Sequence, residues 1–85
     1  MNKTVLITGC TQGIGKYLAI RFHSDGYNVI GTGLAKKNEL SMDISGALCR
    51  YYEADFSDQT GIENLIAGLS TDNPRIDVLI NNAGL

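Results

Sequence analysis

Short apolar runs alternate in this chain with segments whose apolar residues repeat at helical spacing, and few folds accommodate that alternation. The first run, VLI at residues 5–7, is uninterrupted, as expected of a strand covered on both faces. Similar runs recur, so we predict strands at residues 5–7, 27–32, 50–54 and 76–80. The third strand, RYYEA, carries charges on both faces, which favours a position at the edge of a sheet.

The first helix is predicted over residues 13–25. Its apolar residues fall at i, i+3, i+4 and i+8 and should form one face against the sheet. They are Ile14, Tyr17, Leu18 and Phe22. Gly26 can adopt the left-handed conformation that ends a helix. Residues 34–48 have a weaker pattern interrupted by Gly46, and we expect only a short, poorly formed helix there.

The last helix has the clearest apolar spacing in the chain, at i, i+3, i+4 and i+7. The residues concerned are Ile62, Leu65, Ile66 and Leu69. Either Ser57 or Asp58 can cap its first turn. Gly61 and Gly68 lie within the pattern and weaken the helix by about 1 kcal/mol each relative to Ala. Turn-forming residues at 70–75, STDNPR, are expected to follow it.

Strands that are joined by helical crossovers must run parallel, and such crossovers are almost always right-handed. We therefore predict an α/β fold: the N-terminal half of a doubly wound parallel sheet, β-α-β-α-β-α-β, with strand order 3-2-1-4. The first and fourth strands are then neighbours. Ligands bind in sheets of this kind at the crevice between the carboxyl ends of those two strands.

Charge and cysteine content exclude several other classes of protein. The net charge is −2 and the basic residues are scattered, which gives no electrostatic footprint for nucleic acid or an anionic membrane. The apolar run near the N-terminus is too short for a signal peptide or a membrane span, so we expect a cytoplasmic protein. Cys10 and Cys49 are far apart and form no Cys/His cluster, so we expect free thiols and no metal site.

A glycine-rich turn, TGCTQGIG, connects the first strand to the first helix. Gly9 can turn the chain, Gly13 leaves room for a pyrophosphate, and Gly15 lets the helix pack closely on the sheet. The free N–H groups of the helix would then face the phosphates. The motif is not a P-loop, because Cys10 and Tyr17 occupy the positions of the required Gly and Ser or Thr. A glycine-rich turn without a ligand remains the alternative.

The turn, TGxxxGIG, is followed at the end of the fourth strand by NNAG at residues 81–84, and Asp55 follows the third strand within ADFSD. With these motifs the chain resembles the short-chain dehydrogenase/reductase family over essentially its whole length. The resemblance implies a Rossmann-like domain that binds a nicotinamide dinucleotide, either NADP or NAD. It also implies hydride transfer between that cofactor and a small alcohol or carbonyl substrate, in proteins that are usually homo-oligomers.

The resemblance further implies which residues hold the cofactor. Residues of the glycine turn would hold the pyrophosphate and the adenosine ribose: Gly9, Thr11, Gln12, Gly13, Ile14 and Gly15. Asp55 would accept a hydrogen bond from the adenine amino group, and Phe56 would lie beside the ring. Asn82, Ala83 and Gly84 would line the cofactor's path, with Asn82 also tying the central strands together. From the residues alone, the same carboxylate fits a loop or a cap, and the paired asparagines fit a turn.

The choice between NADP and NAD depends on the residues after the second strand. An acid there would bind the ribose 2′-OH of NAD, whereas a base would accept the 2′-phosphate of NADP. The resemblance places the acid near Gly33 and the base near Gln12 or Leu34, and none of the three is charged. Lys36 and Lys37 follow closely, and they fit either a phosphate contact or a solvated loop. Because no carboxylate repels a phosphate, we favour NADP.

The catalytic group of the family, an Asn, a Ser and a Tyr-x-x-x-Lys pair in which Tyr exchanges a proton with the substrate, has no counterpart in these 85 residues. Tyr17 precedes Arg21 rather than Lys, and we expect it to pack against the sheet. We therefore assign no catalytic residue. We expect residues 1–85 to be an incomplete domain that ends after strand four, leaving that strand as an unprotected edge. A non-catalytic nucleotide-binding module and a non-functional remnant are the alternatives.

Overall fold

The computed structural model describes residues 2–82, so Ala83 and Gly84 lie outside the described residues. The described chain forms four strands, three α-helices and one 3₁₀ turn. In chain order the elements are β1 (Thr4–Ile7), α1 (Gly13–Ser24), β2 (Asn28–Gly33), the 3₁₀ turn (Lys37–Glu39), α2 (Met42–Ala47), β3 (Arg50–Glu53), α3 (Gln59–Asp72) and β4 (Val78–Ile80). None of the helices within residues 2–82 is long and apolar enough to cross a membrane.

The strands form one parallel sheet in the order β3-β2-β1-β4, which confirms the predicted fold class and strand order. Val5 of β1 lies opposite Val29 of β2 and Val78 of β4, so apolar residues continue across the sheet. β3 is an edge strand, as its charges predict. β4 forms the other edge of the described sheet, and Leu79 on it is 63% exposed.

The core lies on the face of the sheet that α1 and α2 cover. Its fully buried members come from two strands, the glycine turn and both helices. They are Val5, Ile7, Cys10, Ala19, Val29 and Ile44. Ile44 is 1% exposed and holds α2 on the core, which explains how a helix of only six residues forms in a weak pattern. The stability of α2 therefore comes from its tertiary contacts rather than from intrinsic helix propensity.

The face that α1 turns to the sheet agrees only in part with the prediction: Leu18 and Phe22 pack against the core as expected, but Ile14 and Tyr17 do not. Ile14 is 72% exposed and Tyr17 is 65% exposed, so the expectation that Tyr17 packs against the sheet is wrong. Gly15 and Ala19 are buried instead. Because both residues are small, the helix axis approaches the sheet closely along their line, and larger side chains at positions 14 and 17 lie outside the contact.

The predicted apolar face of α3 is also largely uncovered in the described chain. Leu65 is its one buried residue, whereas Ile66 is 58% exposed. The helix contacts β3 through glycine: a Cβ on Gly68 would lie 3.0 Å from the Tyr52 ring. The helix also continues to Asp72, three residues into the segment predicted as a turn, and ends at Asn73 in the left-handed conformation.

Candidate functional site

A cleft of about 710 Å³ opens at the carboxyl ends of the strands, within the size range of small-molecule sites. The loops after β1, β2, β3 and β4 all contribute to it. Its lining residues are Gly9, Thr11, Gln12, Thr32, Gly33, Leu34, Ala54, Asp55, Phe56, Ser57 and Asn82. The structure therefore brings together predicted residues that are separated by up to 73 positions in the sequence.

Gly13, Ile14 and Gly15 were predicted at the same site but are not among the residues that line the cleft. Gly13 is the first residue of α1, and its positive φ of 61° places it in the left-handed region that other residues rarely adopt. The side chain of Ile14 is largely exposed. Gly15 is buried below the turn, where a Cβ would overlap the Gly9 carbonyl oxygen and approach the Asn82 amide.

The N-terminus of α1 is open toward solvent at this cleft. Gln12 occupies the N-cap position but its side chain makes no capping hydrogen bond, and the first turn contains no acidic residue. The backbone N–H groups of a first helical turn have no partner within the helix, and the helix dipole makes that end partially positive. This end of α1 can therefore receive an anion.

Asn82 fixes the glycine turn to the end of β4. Its side-chain Nδ2 donates to the Gly9 carbonyl oxygen at 3.1 Å, and its backbone N–H donates to Thr8 Oγ1 at 2.9 Å. Thr8 Oγ1 also lies 3.3 Å from Asn81 Oδ1. Thr8 is buried, and the sequence analysis did not single it out. These bonds join segments more than 70 residues apart and give the turn a fixed shape.

The space beside Gly33, where an acidic residue would favour NAD, is already filled. A Cβ at this position would lie 2.5 Å from Thr11 Cγ2 and 2.8 Å from the Tyr51 hydroxyl. Tyr51 donates its hydroxyl hydrogen to the Ala35 carbonyl oxygen at 2.6 Å. Burial raises the pKa of Tyr51 to about 12, so the phenol remains a donor at neutral pH. The sequence analysis did not identify Tyr51 as a residue of the site. Its position on the face of the sheet that α1 covers follows only from the register of β3 against β2.

Lys36 and Lys37 are exposed and do not line the cleft. Their backbone N–H groups hold the loop after β2: Lys36 donates to Glu39 Oε1 at 3.2 Å, and Lys37 donates to Glu53 Oε1 at 3.0 Å. The structure thus orders this loop but does not bring either ammonium group into the cleft. Leu34, also exposed, is the residue of this loop that contributes to the lining.

In the segment after β3, Asp55 and Asp58 accept different hydrogen bonds. Asp58 caps α3, since its Oδ1 accepts from the Thr60 backbone N–H at 2.9 Å, which decides between the two predicted caps. Asp55 Oδ1 accepts from both the hydroxyl and the backbone N–H of Ser57, at 2.6 and 2.9 Å. Both bonds lower the pKa of Asp55, and the bond from the Ser57 hydroxyl contributes more than the bond from the backbone N–H. Phe56, between Asp55 and Ser57 in the sequence, is half-buried and also lines the cleft.

The motifs and the fold lead to the same family. A sequence model described as short chain dehydrogenase matches residues 3–85. The chain belongs to the short-chain dehydrogenase family. The resemblance carried by the glycine turn and by NNAG is therefore confirmed, and the parallel sheet of this chain is the Rossmann-like arrangement that the resemblance implies.

Among curated proteins, a serine 3-dehydrogenase from Rhizobium radiobacter is 40% identical to this chain over 86 residues, a match that covers all of this chain and 34% of the relative. This chain is 39% identical over 87 residues to an NADP-dependent 3-hydroxy acid dehydrogenase from Salmonella typhi, covering 95% of this chain and 33% of the relative. The chain thus spans about a third of the length of the curated relatives that it matches.

A solved structure of 4-hydroxyisoleucine dehydrogenase complexed with NADH superposes with a TM-score of 0.78 at 29% identity. The match covers 99% of this chain and 35% of the solved chain. The matched part of that enzyme therefore has the same arrangement of strands and helices as the described chain.

Proposed function

We propose that this chain is the NAD(P)-binding portion of an oxidoreductase that transfers hydride between a nicotinamide cofactor and an alcohol or carbonyl substrate. The observation that carries the proposal is the convergence of the glycine turn, the loop after β2, the Asp55–Phe56 segment and Asn82 on one cleft. That cleft lies at the carboxyl ends of parallel strands, at the point where the strand order reverses.

The pyrophosphate is assigned to the N-terminus of α1. The uncapped N–H groups supply hydrogen-bond donors, the dipole favours negative charge, and the absence of an acid in the first turn avoids repulsion. The left-handed Gly13 presents no side chain, and apart from its chain neighbours and the adjacent helix backbone nothing lies within 4 Å of the place where its Cβ would be. Asn82 donates a hydrogen bond to the Gly9 carbonyl oxygen of the turn, and the buried Gly15 packs against the same oxygen.

The adenosine is assigned to the opposite end of the cleft. The Asp55 carboxylate can accept a hydrogen bond from the adenine amino group, and the half-buried Phe56 offers an apolar surface to the ring. Ala83 and Gly84, which the family resemblance places along the cofactor's path, remain part of the proposal although they lie outside the described residues. When bound, the cofactor supplies or accepts the hydride.

We propose further that NADP is preferred to NAD. The packing of Thr11 and Tyr51 around Gly33 leaves no room for the carboxylate that would bind a 2′-OH and repel a 2′-phosphate. Lys36 and Lys37 follow in a loop whose backbone is held by two hydrogen bonds, and their exposed side chains are the basic groups nearest in sequence to Gly33 and Leu34. One of the curated relatives is by its name NADP-dependent.

Titration of the protein with NADP+ and NAD+ by calorimetry tests this proposal. We expect both dinucleotides to bind, NADP+ more tightly, and NADP+ to protect the chain against thermal unfolding. Binding of neither dinucleotide would remove the proposal. Because these 85 residues contain no counterpart of the family's catalytic group, turnover is tested in a full-length parent protein, by following nicotinamide absorbance with serine and simple 3-hydroxy acids, which the names of the relatives suggest as a first panel. A full-length parent that binds a dinucleotide but turns over no alcohol or carbonyl would leave a nucleotide-binding module.

A further inference from the structure

Asp55 is held at its backbone as well as at its side chain. The backbone N–H of Asp58 donates to the Asp55 carbonyl oxygen at 3.2 Å. The first turns of α3 pack directly on this residue, because a Cβ on Gly61 would lie 2.5 Å from that oxygen and 3.0 Å from the Asp55 nitrogen. The glycine that weakens α3 by propensity is thus the one that lets the helix contact Asp55.

The two oxygens of the Asp55 carboxylate have different surroundings. Oδ1 accepts both Ser57 hydrogen bonds, which uses its two lone pairs. Oδ2 has no hydrogen-bond donor among residues 2–82. Asp55 and Ser57 both line the cleft, so the oxygen that remains available belongs to a carboxylate whose rotation is restrained at the edge of the proposed adenosine position.

We propose that Ser57 is a positioning residue that fixes Asp55 so that Oδ2 accepts a hydrogen bond from a 6-amino group and discriminates against 6-oxo purines. The inference rests on the proposed dinucleotide site and adds a residue and a selectivity to it. An ionised carboxylate can only accept hydrogen bonds. Adenine presents a donor at C6, whereas hypoxanthine and guanine present a carbonyl oxygen that the carboxylate repels.

A second pair in the chain has the same local chemistry away from the cleft. Ser41 donates its hydroxyl hydrogen to Asp43 Oδ1, and that oxygen also accepts from the Ile44 backbone N–H. As in the Asp55 pair, serine and aspartate are two residues apart and both are exposed. Neither Ser41 nor Asp43 lines the cleft. Asp43 Oδ2 also forms an ion pair with Lys16 Nζ at 3.2 Å, which does not involve the Ser41 hydroxyl. Ser41→Ala therefore removes a comparable hydrogen bond at a place outside the lining of the cleft.

The test compares the affinities of NADP+ and its hypoxanthine analogue, measured by calorimetry on the same protein preparations. We expect the unsubstituted protein to prefer NADP+, and Ser57→Ala to reduce the ratio of the two affinities by about fivefold. Ser57→Thr retains the hydroxyl and should restore the ratio. Ser41→Ala should leave the ratio unchanged. Thermal unfolding of each variant shows whether the fold is retained.

Each outcome supports or overturns a separate statement. If Ser57→Ala weakens both dinucleotides equally, or leaves the ratio intact, Ser57 does not position Asp55 for base selection and the inference is wrong. If the unsubstituted protein binds neither dinucleotide, the proposed function fails and the inference fails with it. If Ser57→Ala does not fold, Ser57→Cys replaces it, because a thiol is only a weak hydrogen-bond donor: a reduced ratio supports the role of the hydroxyl, and an unchanged ratio contradicts it.

Discussion

Two helices begin beside the cleft, and their first turns are built in opposite ways. α3 closes its own N-terminus: Asp58 accepts a hydrogen bond from Thr60, and the Asp55–Ser57 bonds order the residues just before it. α1 leaves its N-terminus open, with no capping hydrogen bond from Gln12 and no acid in the first turn. Both helices follow strands of one sheet, so the difference comes from local sequence rather than from the architecture.

The comparison indicates how stability and binding are divided. A capped N-terminus satisfies backbone donors internally and stabilises the helix by about 1 kcal/mol. An open N-terminus forgoes that stabilisation but keeps its donors available for an anion. In this chain the open end follows the glycine turn that Asn82 holds by a hydrogen bond, and it is the end proposed to bind the phosphates; the capped end supports the residue proposed to select the base.

The largest expected effect comes from the support of the open end. Gly15→Ala would place a methyl group into the Gly9 carbonyl oxygen and against Asn82, so the turn or α1 must shift. We expect a loss of about 3 kcal/mol in the free energy of unfolding, measured in urea, together with loss of NADP+ binding. Gly46→Ala, where nothing lies within 4 Å, is the control and should not destabilise the chain. Equal behaviour of the two variants would contradict the packing role of Gly15.

A capping residue introduced at the N-terminus of α1 should stabilise the helix and weaken the binding of the dinucleotide. Gln12→Asp supplies the side-chain acceptor that α1 lacks, so we expect the chain to be stabilised by about 0.5–1 kcal/mol. The same carboxylate competes for the N–H groups and repels the pyrophosphate, and we expect binding of NADP+ to weaken by about tenfold. Gln12→Asn caps without charge and should fall between the two. Unchanged affinity in Gln12→Asp would separate α1 from the phosphate site.

Opening the closed end is the reciprocal change. Asp58→Ala removes the cap of α3 and should lower the free energy of unfolding by about 1 kcal/mol. Because the phosphates are assigned to α1, the salt dependence of NADP+ binding should not change. Urea unfolding and calorimetry at two salt concentrations measure both effects. A variant that gains affinity for phosphate alone would show that either helix end can serve as the anion site.

The smallest expected effect concerns the pKa of Asp55 and the dependence of the free energy of unfolding on pH in acid. The pKa of Asp55 is lowered by the Ser57 hydroxyl first and the Ser57 N–H second. A carboxyl group with a lowered folded-state pKa contributes stability above its unfolded pKa of about 3.9 and loses that contribution as the pH falls through the folded value. In Ser57→Ala the pKa of Asp55 should rise toward its ordinary value. Carboxyl NMR titration measures this shift, and an unchanged titration would contradict the assigned cause.

The alternation of apolar runs and helical patterns predicted the strand order and the position of the glycine turn, and the family resemblance implied that Asp55 and Asn82 share its site. Neither predicted which residues form the contacts. Hydrophobic spacing placed Ile14 and Tyr17 on the core face of α1, whereas the close approach occurs at the small residues Gly15 and Ala19. Periodicity locates a helix face but carries no information about the distance between the helix and the sheet.

The same limitation hid the polar supports of the site. Tyr51 was visible only as a residue of a strand, and its bond to Ala35 depends on register and loop path. Gly61 counted against α3 by propensity, although its position against Asp55 requires the smallest side chain. Ser57 was considered only as a helix cap, because a hydrogen bond between residues two apart has no distinct sequence signature.

The central claim, that the open N-terminus of α1 holds the dinucleotide phosphates, is tested most directly by two glycines at the two ends of the same helix. Gly13 and Gly26 both have positive φ, 61° and 92°, and neither has an atom within 4 Å of its Cβ position. Alanine should therefore strain both positions similarly, by about 1–2 kcal/mol. Calorimetric titration with NADP+ should show a large loss of affinity in Gly13→Ala and unsubstituted affinity in Gly26→Ala. Equal affinities in the two variants would contradict the claim.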